Sequence, residues 1–154
     1  MYDYRIEKQR LGVTVLLASG DVVRGHVFVQ PSVYGMHAHA GPHGLFNGPE
    51  PFFPLELEDG GVLLVSKARV AEVSGSSELA EDELRRLSAR EAMMEITLAP
   101  GMSYVGTALL ELPTERPRLL DLLNDSRERF LTLYTSDGVR FINRALIERV
   151  RPLD

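Results

Sequence analysis

Leu45-Phe46-Asn47-Gly48-Pro49-Glu50-Pro51-Phe52-Phe53 lines up with Leu122-Leu123-Asn124-Asp125-Ser126-Arg127-Glu128-Arg129-Phe130, Asn124 falling 77 residues after Asn47. The same offset carries Gly61-Val62-Leu63-Leu64-Val65-Ser66-Lys67-Ala68 onto Gly138-Val139-Arg140-Phe141-Ile142-Asn143-Arg144-Ala145, then Val70 and Val73 onto Ile147 and Val150. Upstream the offset grows to 81, with Val15, Leu17, Gly20 and Gly25 facing Ile96, Leu98, Gly101 and Gly106. The length change falls inside a loop, where insertions cost least. A repeated unit of this kind predicts two copies of one small fold. The first spans residues 1–75 with a histidine-rich loop, and the second spans 76–154 with a preceding helix.

A unit of about 75 residues buries a limited share of its surface. The copies are therefore expected to pack on each other, or the chain to oligomerise. Hydrophobic residues make up 44% and charged residues 25% of the 154, the balance of an ordinary globular protein. No apolar run reaches the roughly 18 residues of a membrane span. Charges at Asp3, Arg5, Glu7 and Lys8 stand where a secretory signal needs an apolar core. Cysteine is absent, which excludes disulfides and thiolate chemistry, and a cytoplasmic location is the default expectation. A net charge of −5 argues against broad, sequence-independent nucleic-acid binding.

Val13–Leu17 and Val22–Val29 around Ser19-Gly20-Asp21 read as two strands and a tight turn, repeated by Glu95–Leu98, Ala99-Pro100-Gly101-Met102 and Tyr104–Leu110. Gly25 and Gly106 fall mid-strand, where glycine marks a bend or a close backbone approach. The leucine spacing of Arg118–Asn124 predicts a short helix. The corresponding glycine-, proline- and histidine-rich stretch of the first copy is expected to be irregular. Three strands close each copy: about Phe53–Glu58, Val62–Lys67 and Arg69–Val73, then Phe130–Thr135, Val139–Arg144 and Leu146–Arg151. Ser74-Gly75-Ser76-Ser77 has the composition of a flexible linker. Glu78 to Met93 reads as a helix, with Ser77 as N-cap, acids in its first turn and Arg85, Arg86 and Arg90 later.

This order resembles the Sm-like fold, a helix followed by a five-stranded, strongly bent small barrel. Ile96-Thr97-Leu98-Ala99-Pro100-Gly101 with Val105-Gly106 is similar to that family's opening motif, Asn124 to its loop asparagine, and Ile147 with Val150 to its closing strand. The turns before the closing strands read Ser66-Lys67-Ala68 and Asn143-Arg144-Ala145 rather than carrying the family's Arg-Gly signature. The excursion after the bent strand is also longer than in Sm proteins. The pattern, with Asp121-Leu122-Leu123-Asn124 ahead of Phe130, resembles a bacterial family of duplicated Sm-like (SH3-like small-barrel) domains more than a true Sm protein. The resemblance implies loop-mediated RNA binding as one function.

His37, His39 and His43 form the one constellation with metal-site chemistry. Imidazoles two residues apart on an extended chain face one ion, and a third completes an open zinc or nickel site suited to hydrolysis. Flexible glycines and Pro42 oppose it, and within the sequence the nearest acid is Glu50. Arg116, Arg118, Arg127, Arg129, Arg140 and Arg144 concentrate cations in the second copy, with Phe130, Tyr134 and Phe141 interleaved for base stacking. Asp121, Asp125, Glu128 and Asp137 offset them. No nucleophile elbow or phosphate-cradling loop is present. Phe53 and Phe130 are expected in the core. Glu56 and Glu58 read as a solvated strand face.

The expected architecture is mainly β: two five-stranded Sm-like barrels with one linking helix. The function read first from it is a non-enzymatic cytoplasmic interaction or regulatory module that self-associates through exposed strand edges. RNA binding at the arginines and a metal-dependent activity at the histidines are the alternatives.

Overall fold

In a computed structural model, residues 8–30, 41–75, 90–99, 101–110, 119–125 and 127–153 are described. The protein is mainly β, with ten antiparallel strands in one open sheet. β1 (Gln9–Leu17) and β2 (Val22–Val29) are followed by a helix α1 (Gly41–Asn47), β3 (Phe52–Glu56), β4 (Val62–Ser66) and β5 (Val70–Gly75). β6 (Arg90–Leu98) and β7 (Ser103–Leu110) are followed by α2 (Leu119–Asn124), β8 (Phe130–Thr135), β9 (Gly138–Asn143) and β10 (Ile147–Pro152). Across the sheet the strands run β10-β6-β7-β8-β9-β5-β1-β2-β3-β4. The first five strands thus lie in the order β5-β1-β2-β3-β4, and the last five repeat it as β10-β6-β7-β8-β9.

Local structure follows from alternation. Along β1, Leu11, Val13 and Val15 are buried while Gly12 and Thr14 face outward. The Leu17 amide closes the β1–β2 turn on the Asp21 carbonyl at 2.8 Å, as the Leu98 amide does on Met102 at 2.8 Å. β2 and β3 share a single residue pair, His26 with Glu56, and β7 and β8 share only Thr107 with Tyr134. The sheet folds over at both joints, and both are the sites of the mid-strand glycines. A Cβ on Gly25 would lie 2.3 Å from the Glu56 carbonyl oxygen, and one on Gly106 2.5 Å from that of Tyr134. Backbone passes over backbone at those two points, so glycine alone fits.

Four expectations are corrected. Residues 90–93, assigned from sequence to the end of a helix, form the start of β6 and pair with β7 from Arg90–Leu110 to Met93–Thr107. Ala92, Met94 and Ile96 are buried in alternation, so sheet pairing overrides the helix propensity of Arg-Glu-Ala-Met-Met. The rest of that expected helix, 76–89, lies outside the described residues. Ser74 and Gly75 are not linker but the end of β5, between Thr14 and Val13 on one side and Arg140 and Val139 on the other. The stretch expected to be irregular contains α1, where Pro42 suits a first turn and burial of Phe46 supplies the stabilisation that composition does not. Finally, Gly25 faces Leu55 and Glu56 as Gly106 faces Leu133 and Tyr134. That matches β3 to β8 at an offset of 78, so Phe130 corresponds to Phe52 and not to Phe53.

Two apolar clusters divide the interior. One gathers Leu11, Val13, Val15, Val27, Phe46, Phe53 and Leu55 and also takes in Phe130, Tyr134, Val139 and Phe141 from the second set of strands. The other gathers Met94, Ile96, Leu98, Ala108, Leu131, Leu133 and Ile142 with Leu16 and Ala71 from the first. Phe53 and Phe130 are both buried, as expected for core.

The seam between the sets is the β5–β9 pairing, with Glu72 opposite Ile142, Val73 opposite Phe141, Ser74 opposite Arg140 and Gly75 opposite Val139. Two asparagines bolt it. The Asn47 carboxamide accepts from the Phe130 amide at 2.7 Å and donates to its carbonyl at 3.4 Å. Buried Asn143 donates to the Val70 carbonyl at 2.8 Å and accepts from the Ala145 amide at 3.0 Å. Asn47 thereby partners both backbone groups of buried Phe130, and Asn143 the carbonyl of buried Val70.

Candidate functional site

α1 carries His43, and its Nε2 lies 2.9 Å from an oxygen of Glu128, 85 residues away in sequence. This acidic neighbour comes from the segment between α2 and β8 and was invisible in the sequence around the loop. His37 and His39 lie outside the described residues. Among the described residues no group of three or more His, Asp or Glu side chains is placed to hold a metal.

The four described arginines of this set lie in separate settings. Arg127 forks onto the Asp125 carboxylate at 2.6 to 3.1 Å, and those bonds hold the Asp125 pKa down at about 2. Arg144 is half-buried and donates to the Leu122 carbonyl at 2.7 Å, which ties down the last turn of α2. Burial lowers its pKa from the ordinary arginine value. Arg129 is exposed immediately before β8. Arg140 lies on β9 and belongs to the seam, while Arg116 and Arg118 fall outside the described residues. Glu56 takes part in an ion pair, accepting from Arg10 Nη2 at 2.7 Å.

The most developed polar group is one that sequence reasoning missed. Glu72 on β5 is buried, and the Arg140 guanidinium reaches both its oxygens at 2.7 and 2.9 Å. The same guanidinium sits 4.2 Å from the ring centroid of Tyr104 on β7, whose hydroxyl donates to Met102 Sδ at 3.8 Å and lies near enough to Glu72 to feel its charge. Burial raises the Glu72 pKa, and the Arg140 charge opposes that rise. Burial, and then the Glu72 charge, push the Tyr104 hydroxyl up to about 12. A group protonated more firmly in the folded state stabilises the fold below its unfolded value and loses that contribution as pH climbs through the folded one. Stability should therefore fall between pH 10 and about 12 as this phenol ionises. In an ultraviolet titration of tyrosinate, Tyr104→Phe should abolish the transition near pH 12. Persistence of that transition in the variant would contradict the assignment.

Beside this group an open trough of about 430 Å³ is lined by Gly12, Thr14, Arg24, His26, Ser74 and Arg140, with Glu58 and Asp137 at its margin. His26 Nδ1 is buried there without a hydrogen-bond partner among the described residues. Charges of both signs line it, and Arg140 Nη1 is already engaged by Glu72.

The two ends of the sheet differ from its middle. Among the described residues, β4 and β10 are the outermost strands, each paired on one side only. On β4, Val62 is 59% and Leu64 73% exposed, and neighbouring Phe52 on β3 is 56% exposed. Their matching positions in the second set, Val139, Phe141 and Phe130, are 3%, 0% and 0% exposed because β5 and α1 cover them. At the opposite end, β10 is exposed or half-exposed throughout, whereas matching β5 is buried over its first four residues. Leu119, Leu122, Leu123, Ile147 and Val150 form a partly open apolar border beside it.

No family model, no curated protein and no solved structure matches this chain. No helix among the described residues is long and apolar enough to cross a membrane.

Proposed function

We propose that this chain is a non-enzymatic cytoplasmic interaction or regulatory module, built as two Sm-like small barrels sharing one sheet, that works as a self-associated assembly. The observation that carries this reading is the bare apolar edge at β4. Three large side chains there are more than half exposed, while their counterparts at the seam are buried. A long, apolar, unpaired edge is a template for another strand, and proteins that do not use such an edge blunt it with charge. β4 carries no charge from Val62 to Ser66.

RNA binding through the arginines draws less support. Arg127 and Arg140 are committed to carboxylates and Arg144 to helix carbonyls, which leaves fewer guanidinium forks for phosphate. A metal reading rests on histidines of which one, His43, is turned to Glu128.

Light scattering at increasing concentration tests the proposal. The mass is expected to rise above the 17.2 kDa of one chain, and Leu64→Lys, which places a charge on the bare edge, should return it to one chain. A constant mass of one chain at all concentrations would overturn the reading.

A further inference from the structure

We infer that β4 of one chain pairs with β10 of a second copy, antiparallel, in the register that β9 and β5 adopt within the chain. This rests on the self-association proposed above and specifies its geometry. The chain already contains one example of the contact. β9 is the counterpart of β4 and β5 the counterpart of β10, and the two are hydrogen-bonded neighbours at the seam. Each free edge is therefore one half of an interface whose other half the chain carries at its far end.

Transferring the seam register places Arg149 opposite Val65, Val150 opposite Leu64, Arg151 opposite Leu63 and Pro152 opposite Val62 of the next chain. Leu64 then takes the place of Phe141, and Phe52 that of Phe130, both of which are fully buried at the seam. The receiving border of Leu122, Leu123 and Val150 is half-exposed in the single chain, as an apolar surface awaiting cover should be. The matched asparagines agree with this. Asn47 bonds both backbone groups of Phe130, while its counterpart Asn124 is exposed at the end of α2. In the paired assembly Asn124 faces the backbone of Phe52 on the next chain.

β10 also carries Glu148, Arg149 and Arg151, charge that β4 lacks, and one residue weakens the ladder itself. The Leu153 amide donates inward to the Met93 carbonyl, so alternation turns the Pro152 nitrogen toward the free edge. Proline has no N–H, and this position contributes one hydrogen bond fewer than Gly75 does at the seam. Because the two contact faces are unlike, each added chain presents a fresh β4 or β10, and association continues until a ring closes.

The cysteine-free chain makes the register directly testable. Leu63 and Arg151 are exposed, so Leu63→Cys and Arg151→Cys should each fold. They would meet as a pair whose backbone bonds point away from each other, the closer of the two antiparallel spacings and within disulfide reach. Under mild oxidation a mixture of the two variants should give disulfide-linked dimers at least tenfold above either variant alone. Arg149→Cys mixed with Leu63→Cys should link at least tenfold less. Leu63→Cys linking to itself would show β4 meeting β4 and would overturn the head-to-tail geometry. No linkage with a scattering mass above one chain would overturn the register and leave self-association standing. No linkage with the mass of a single chain would overturn both.

Discussion

Replacing Phe46 by alanine is expected to cost about 3–5 kcal/mol of folding stability, the range for deleting a fully buried phenylalanine. Its ring meets Phe53 edge-on at 5.3 Å and 88°, Phe130 at 6.0 Å and Phe141 at 5.2 Å between centroids. Phe53 belongs to the first set of strands, and Phe130 and Phe141 to the second. The cavity would thus open at the seam as well as in the first core. Total stabilities of domains are about 5–15 kcal/mol, so the variant should sit at the edge of folding at room temperature. Phe46→Leu keeps most of the buried volume and should lose about 1–2 kcal/mol. Urea denaturation of the three proteins checks both figures. A loss under about 1 kcal/mol for Phe46→Ala would mean that this ring does not hold the two sets of strands together.

Gly25→Ala and Gly106→Ala are expected to be comparably severe, about 3 kcal/mol or more each, for a different reason. The added carbon would stand 2.3 Å and 2.5 Å from carbonyl oxygens, and 3.0 Å and 2.8 Å from Cγ of Leu55 and Leu133. Overpacking against side chains costs about 1–3 kcal/mol because rotamers give way. Here the obstruction is backbone, so the strands themselves must separate at the joint where the sheet folds over. Gly12→Ala is the control, because its new carbon meets His26 at an ordinary 3.8 Å. That variant should stay within about 0.5 kcal/mol of the parent. Thermal unfolding of the three variants, with the expected loss confined to positions 25 and 106, tests the close approach. Equal stability of all three would contradict it.

The strands were legible because each is short, alternating and bounded by turn residues, and α2 because four leucines fall within six positions. β6 was obscured at its start because Arg-Glu-Ala-Met-Met favours helix locally and becomes strand only through pairing with β7. α1 was obscured because its stability comes from one buried ring and not from its composition. The one-residue slip between Phe52 and Phe53 arose from the hairpin turns. Between matched pairs, Glu56 and Val62 enclose five residues and Tyr134 and Val139 four, and a gap-free alignment cannot register that. The seam left no local mark at all. Glu72 with Arg140 and His43 with Glu128 join residues 68 and 85 positions apart. Which strand of one unit lies beside which strand of the other is a property of tertiary packing alone.

The open edges follow from the same packing, because a unit whose neighbour covers one side leaves the opposite side bare at each end of the sheet. Hydrogen–deuterium exchange across a concentration series tests this most directly. The edge-facing amides of Val62, Leu64 and Val150 should gain protection together as concentration rises, while those of β9 and β5 are protected throughout. Fast exchange of the Val62, Leu64 and Val150 amides at every concentration, or protection of Val62 and Leu64 without Val150, would contradict it.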